Sequence, residues 1–144
     1  MFRKLIVTSP TWMTVPVRIA LGLVFIGHGS QKVLGWFGGP GLSKWMTFEK
    51  MAAGLRPAGL WLAAAAFSEL VGGILVFLGL LTRLGALMIA VTMAVAIVGT
   101  HWPNFFSDNK GMEFPLALLA MALALIIAGG GQASVDQKLV RGRR

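Results

Sequence analysis

The sequence predicts an all-α integral membrane protein, an antiparallel four-helix bundle with a short interfacial helix in its first loop. Three observations carry that expectation. Of 144 residues, 56% are hydrophobic and only 12% charged, with a mean hydropathy of +0.77, whereas soluble domains carry about 25% charged residues. The apolar residues gather into long runs, Val15 to Leu34, Ala58 to Leu80, Leu84 to Thr100 and Phe114 to Gly129, each near the ~20 residues a helix needs to cross hydrocarbon. Trp12, Trp36, Trp61 and Trp102 fall at the ends of those runs, at the head-group level that their amphipathic rings prefer. The length leaves a single membrane domain over 1–144 and no room for a separate soluble cofactor-binding unit. With no cysteine, disulfides, thiolate metal ligands and Cys-bound iron–sulfur clusters are excluded. Any electrons handled here must travel on a bound molecule or a partner.

Arg3 and Lys4 give the start a charged region, but Pro10 and Pro16 interrupt the stretch after it and no small-residue cleavage site closes a short apolar core, so the first span reads as uncleaved. Thr14 and Pro16 open the first helix, Pro57 precedes the second, and Glu113 with Pro115 opens the fourth, proline being tolerated where an amide lacks an intrahelical partner. The run Gly35-Trp36-Phe37-Gly38-Gly39-Pro40-Gly41 lets the chain leave the first helix, and it lacks the spacing of a phosphate-binding loop. Beyond it, Leu42, Trp45, Met46, Ala52 and Ala53 form one apolar stripe opposite Ser43, Thr47 and Lys50, the spacing of a short helix lying on the membrane surface. The second and third helices are joined by only Leu81, Thr82 and Arg83, which dictates a tight antiparallel hairpin. Gly129-Gly130-Gly131 closes the fourth, and the basic tail 132–144 reads as a solvated, lipid-facing end.

The formal charge is +8. Because the basic residues sit mostly outside the apolar runs, they suit anionic lipid head groups, and no nucleic-acid partner is expected. On one side stand Arg3, Lys4, Arg18, Arg83, Lys138, Arg141, Arg143 and Arg144; on the other stand Lys32, Lys44, Lys50, Arg56 and Lys110. That bias places both termini in the cytoplasm of a multi-pass protein.

Ionisable groups inside a span cost roughly 2.5–3.5 kcal/mol at the helix centre and are functional candidates for that reason. Glu69 sits mid-span among Phe67, Leu70 and Val71, one turn before Gly72 and Gly73, glycines that let a neighbouring helix come close and would also suit an interface between copies of the chain. It is expected to point inward, either neutral and hydrogen-bonded or ionised beside a cation. In the first span His28, Gln31 and Lys32 share one helical face. His101 and Glu113 fall at the same outer boundary, so every helix adds a polar group to the outer half. The competing structural reading has Lys32 snorkelling, His101 and Glu113 as ordinary interfacial residues, and Glu69 knitting helices by a buried hydrogen bond. Arg18, one turn into the first span, reads as a snorkelling anchor. His28 and His101 lie at unequal depths and no second pair accompanies them, so no haem is expected; no spacing signature supports a metal.

The order GHGSQKVLGWFGGPG (Gly27 to Gly41), SELVGG (Ser68 to Gly73), LGLLTRLGA (Leu78 to Ala86), His101, GMEFPLALL (Gly111 to Leu119) and SVDQKL (Ser134 to Leu139) resembles the DoxX family of small four-helix bacterial membrane proteins, from about Arg18 to Asp136. The resemblance implies a protein of the bacterial cytoplasmic membrane with a redox association, since the family is similar to the membrane subunit of thiosulfate:quinone oxidoreductase. It also places the family's recurrent polar positions on His28, Gln31, Lys32, Glu69, Arg83 and His101.

Residues and resemblance together give the leading expectation, a subunit of a quinone-linked oxidoreductase. His28 and Glu69 would be the proton-handling pair; Gln31, Lys32, Trp36 and His101 would contact a quinone; Gly72, Gly73, Arg83 and Glu113 would have structural roles. A soluble redox partner would supply electrons. The alternative is a non-enzymatic scaffold or assembly factor that holds a soluble oxidoreductase through the surface helix and tail. Small-solute transport is less favoured, because no inverted repeat is visible.

Overall fold

The structure, a computed structural model, describes residue 6 and residues 8–141. All regular structure among them is helical. In chain order the helices are α1 (Thr14–Val33), α2 (Gly41–Trp45), α3 (Ala58–Leu78), α4 (Thr82–Ala96, prolonged by a π turn over Ile97–His101), α5 (Glu113–Ala128) and α6 (Val135–Arg141). The long helices thus begin and end within a few residues of the apolar runs. α3 packs against both α1 and α4, α4 packs against α5, and α5 meets α1 far more sparsely. Leu21 and Phe25 of α1, Val76 of α3, Ile89 and Met93 of α4, and Leu118 and Leu125 of α5 share one core.

The opposite faces of these helices are apolar too. Leu60, Phe67, Val71, Leu87, Val91, Leu123 and Ile127 are exposed, a pattern that suits surroundings of hydrocarbon. Ala58–Leu78 and Thr82–His101 are long and apolar enough to cross a membrane. α5 has 16 residues, and α1 carries Arg18, His28, Gln31 and Lys32 within its 20.

Missing side chains set the distance between helices. A Cβ on Gly29 would stand 2.5 Å from the Leu70 backbone, and one on Gly22 would stand 2.7 Å from the Phe77 Cβ. From the other side, a Cβ on Gly73 would stand 2.7 Å from the backbone nitrogen of Ile26, and one on Gly72 would stand 3.0 Å from the Gly85 carbonyl oxygen of α4. The two adjacent glycines of α3 therefore serve different neighbours, which lets three helices approach backbone to backbone.

Three expectations are corrected by the coordinates. The first loop does not form one surface helix: α2 stops at Trp45, a separate 3₁₀ turn spans Glu49–Ala52, and Ala53 takes a left-handed conformation (φ 52°). The break lets Trp45 and Phe48 fold inward on Ala52, Ala58 and Leu62. The hairpin turn also lies earlier than Leu81 to Arg83, with Gly79 (φ 68°) closing α3 and Thr82 already opening α4.

The third correction concerns Arg18 and the tail. Arg18 is 4% exposed and does not snorkel. Its guanidinium donates to the carbonyls of Gly130 (2.9 Å) and Ala133 (2.5 Å), which fastens the turn after α5 to α1. The first part of the tail is likewise packed, with Ser134, Asp136 and Gln137 buried. Asp136 accepts from the amides of Leu81 (2.8 Å) and Thr82 (2.9 Å) and from the Thr82 hydroxyl (2.8 Å). It thus caps α4 from a segment 54 residues away. Arg3, Lys4, Arg143 and Arg144, used in the charge bias, lie outside the described residues.

Candidate functional site

Glu69 faces α1 at the level where Gly29 and the Leu70 backbone touch. That close approach brings the last turn of α1 within reach, and Lys32 Nζ donates to both carboxylate oxygens, Oε1 at 2.6 Å and Oε2 at 2.5 Å. Glu69 is 3% exposed and the Lys32 side chain 19%, so the pair is largely withdrawn from solvent. Lys32 Nζ also lies 4.8 Å from the centroid of the Trp45 ring, an attractive placement for a cation over a π face. Trp45 is itself held by its indole N–H, which donates to the Leu62 carbonyl at 2.9 Å. A buried ion pair offsets its desolvation only when its remaining groups are also satisfied; bidentate contact and the indole provide that here.

The pair forms part of the wall of a cavity of about 720 Å³. Most of the lining is hydrocarbon from α1, α3, α4 and α5, with Trp45, Met51 and Leu55 of the first loop also facing it. Its polar wall includes His28, Lys32, Glu69, Thr92, His101 and Lys110. A mostly apolar pocket of this size with a few polar groups is the usual form of a small-molecule site.

His101 reaches the cavity because α4 ends in a π turn, a widening of the helix that recurs at functional sites. Its Nδ1 lies 2.7 Å from the Lys110 carbonyl oxygen. A carbonyl can only accept, so in this contact Nδ1 is the donor nitrogen.

The remaining candidates divide. His28 lines the cavity and is also exposed on its outer side. Gln31 does not line the main cavity; it lines a neighbouring groove, to which His28 also contributes. Trp36 is 59% exposed and lines neither space, so the fold does not bring it to the other groups. Arg83 donates to the Ile127 carbonyl at 2.9 Å, joining the start of α4 to the end of α5. Glu113 accepts from the Ser107 amide at 2.7 Å; hydrogen bonds from Ser107 hold its carboxyl below the usual range. Trp45, Thr92 and Lys110 join the site although their sequence positions did not mark them for it. Trp45 did leave a signal, as the tryptophan that no span end accounts for. Among the described residues no cluster of three metal-ligating side chains occurs.

Comparison with known proteins places the chain among relatives of one family. The DoxX family model matches residues 13–102. A Bacillus subtilis protein named "Putative oxidoreductase CatD" is 28% identical over 137 residues, covering 91% of this chain and 90% of its own. An uncharacterized protein of Haemophilus influenzae is 33% identical over 129 residues, covering 87% and 89%. An uncharacterized membrane protein of Mycobacterium tuberculosis is 32% identical over 135 residues, covering 85% and 78%. No solved structure matches.

Proposed function

The chain belongs to the DoxX family, and from that premise we propose that it is the quinone-binding membrane subunit of an oxidoreductase, with the quinone head in the 720 Å³ cavity. The observation that carries this reading is the Lys32–Glu69 pair set in the wall of an otherwise largely hydrocarbon space. The name of the Bacillus subtilis relative points the same way. In this reading the four long helices form a bundle across the bacterial cytoplasmic membrane, with both termini in the cytoplasm and lipid against the exposed apolar faces.

The residues present fit such a group. A cavity of 720 Å³ lies within the roughly 300–1,000 Å³ of small-molecule sites, and its polar groups are few. A bound quinone supplies a two-electron acceptor with two carbonyl oxygens, and its reduction consumes two protons. Lys32 would hold one quinone carbonyl oxygen by a hydrogen bond, turning one N–H there from Glu69. Glu69, held against Lys32, would deliver protons to the carbonyl oxygens one at a time and be reprotonated after each. His101 Nε2 and His28 exchange protons between this pair and the outer side. The electrons come from a soluble redox partner, since the chain has no cysteine for a cluster or dithiol.

Purified protein in detergent should gain thermal stability with added quinone, by about 2.7 kcal/mol at a hundred times Kd. Quinone reduction by membranes should fall in His28→Ala and Glu69→Gln. Absence of any quinone-dependent stabilisation, with unchanged reduction in both variants, contradicts the proposal.

A further inference from the structure

Beside the main cavity runs a second space of about 340 Å³ between α1 and α5. Its lining includes Leu23, Val24, Gly27, Phe37 and Phe114, with His28 and Gln31 as the polar members. His28 and Phe114 line both spaces, so groove and cavity adjoin at these two side chains. The groove opens sideways: Leu23, Phe37 and Phe114 are all exposed, and α1 and α5 are the sparsely packed neighbours among the long helices.

Gly27 sets this place apart. A Cβ on Gly22, Gly29 or Gly73 would collide with a neighbouring helix, but a Cβ on Gly27 would meet nothing within 4 Å. Close packing therefore does not explain this glycine, although a glycine in a helix interior costs about 1 kcal/mol relative to alanine. What its missing side chain does is leave the floor of the groove open.

We infer that this groove seats the isoprenoid tail of the carrier whose head occupies the cavity, and that His28 marks the passage between them. The inference rests on the quinone reading of the cavity. The groove's largely hydrocarbon lining suits an aliphatic chain, and its sideways opening faces the medium in which such tails dissolve. The shared lining residues attach the chain to a head in the cavity, which a bilayer acyl chain would lack.

The test uses the full chain in lipid nanodiscs and reads quenching of tryptophan emission, since Trp45 and Trp61 line the cavity. Two probes are titrated, tailless 2-methyl-1,4-naphthoquinone and the same ring carrying a four-isoprene tail. Wild type should bind the tailed probe at least about tenfold more tightly, as burial of roughly two methylene groups already suffices for that ratio. Gly27→Phe and Gly27→Leu should bring the tailed probe's Kd to that of the tailless one while leaving the tailless Kd within about twofold; retained tailless binding also shows that the variants fold. Gly27→Ala, whose methyl enters open space, should keep the advantage. If the advantage survives in both bulky variants, or wild type shows none because lipid acyl chains hold the groove, the inference is overturned and the cavity reading stands. If neither probe binds wild type, both fall.

Discussion

Lys32 and Glu69 satisfy each other in a place where neither would be tolerated alone. Removing one leaves an uncompensated buried charge, so Lys32→Met or Glu69→Leu should each lower stability by about 3–5 kcal/mol, while the double variant recovers most of the loss. Chemical denaturation in detergent measures all three, and equal additive losses would sink the pairing account. Of the surroundings the sequence left open for Glu69, the fold supplies the basic partner: Lys32 Nζ lies 2.5 and 2.6 Å from its two carboxyl oxygens. Glu113 gives a different, pH-dependent outcome. Its carboxyl is depressed by hydrogen bonds from Ser107, so its contribution is present above the ordinary carboxylate range and is lost as pH falls through the lowered value. Hydrogen exchange at the Ser107 amide should therefore accelerate on acidification in wild type and be pH-independent, apart from intrinsic exchange, in Glu113→Gln.

Among the elements, the long helices were legible because hydropathy and length are local properties, and proline and glycine punctuate them. The approach of Lys32 to Glu69 left a sequence signal for a related reason. Ionisable residues are rare in such runs, and helical spacing alone placed Lys32 one turn after His28. What could not be read was anything settled across long sequence separation. The stripe from Leu42 to Ala53 satisfies helical periodicity, yet the chain breaks after Trp45 because the indole finds the Leu62 carbonyl and the Lys32 ammonium. Nothing near Asp136 announces that its carboxylate caps α4, and nothing near Arg18 announces that it binds the carbonyls after α5. Composition describes the tail as basic and solvated, while its first residues close the end of the molecule. Asp136→Ala should therefore cost about 2–3 kcal/mol, a lost cap together with buried donors left unpaired. Asp136→Asn should cost less, because an amide oxygen still caps. Truncation before Ser134 should be strongly destabilising; a truncated chain as stable as the full one would refute the structural role given to α6.

At the scale of the whole molecule, exposed apolar faces, a packed segment after α5 and a largely apolar cavity with a few polar groups make one arrangement that suits a bilayer. The proposed orientation is testable because the chain has no cysteine of its own. In intact cells, Lys50→Cys should react with an impermeant maleimide and Lys138→Cys should not until the membrane is opened; the reverse pattern inverts the topology. The central claim is that the cavity bearing Lys32 and Glu69 receives the quinone head, and photolabelling with an azido-quinone in native membranes tests it most directly. Adducts mapped by mass spectrometry should fall on cavity-lining segments around His28, Glu69 and His101 and be suppressed by excess unlabelled quinone. Adducts confined to lipid-facing residues such as Leu123 and Ile127, with no competition, would contradict the claim.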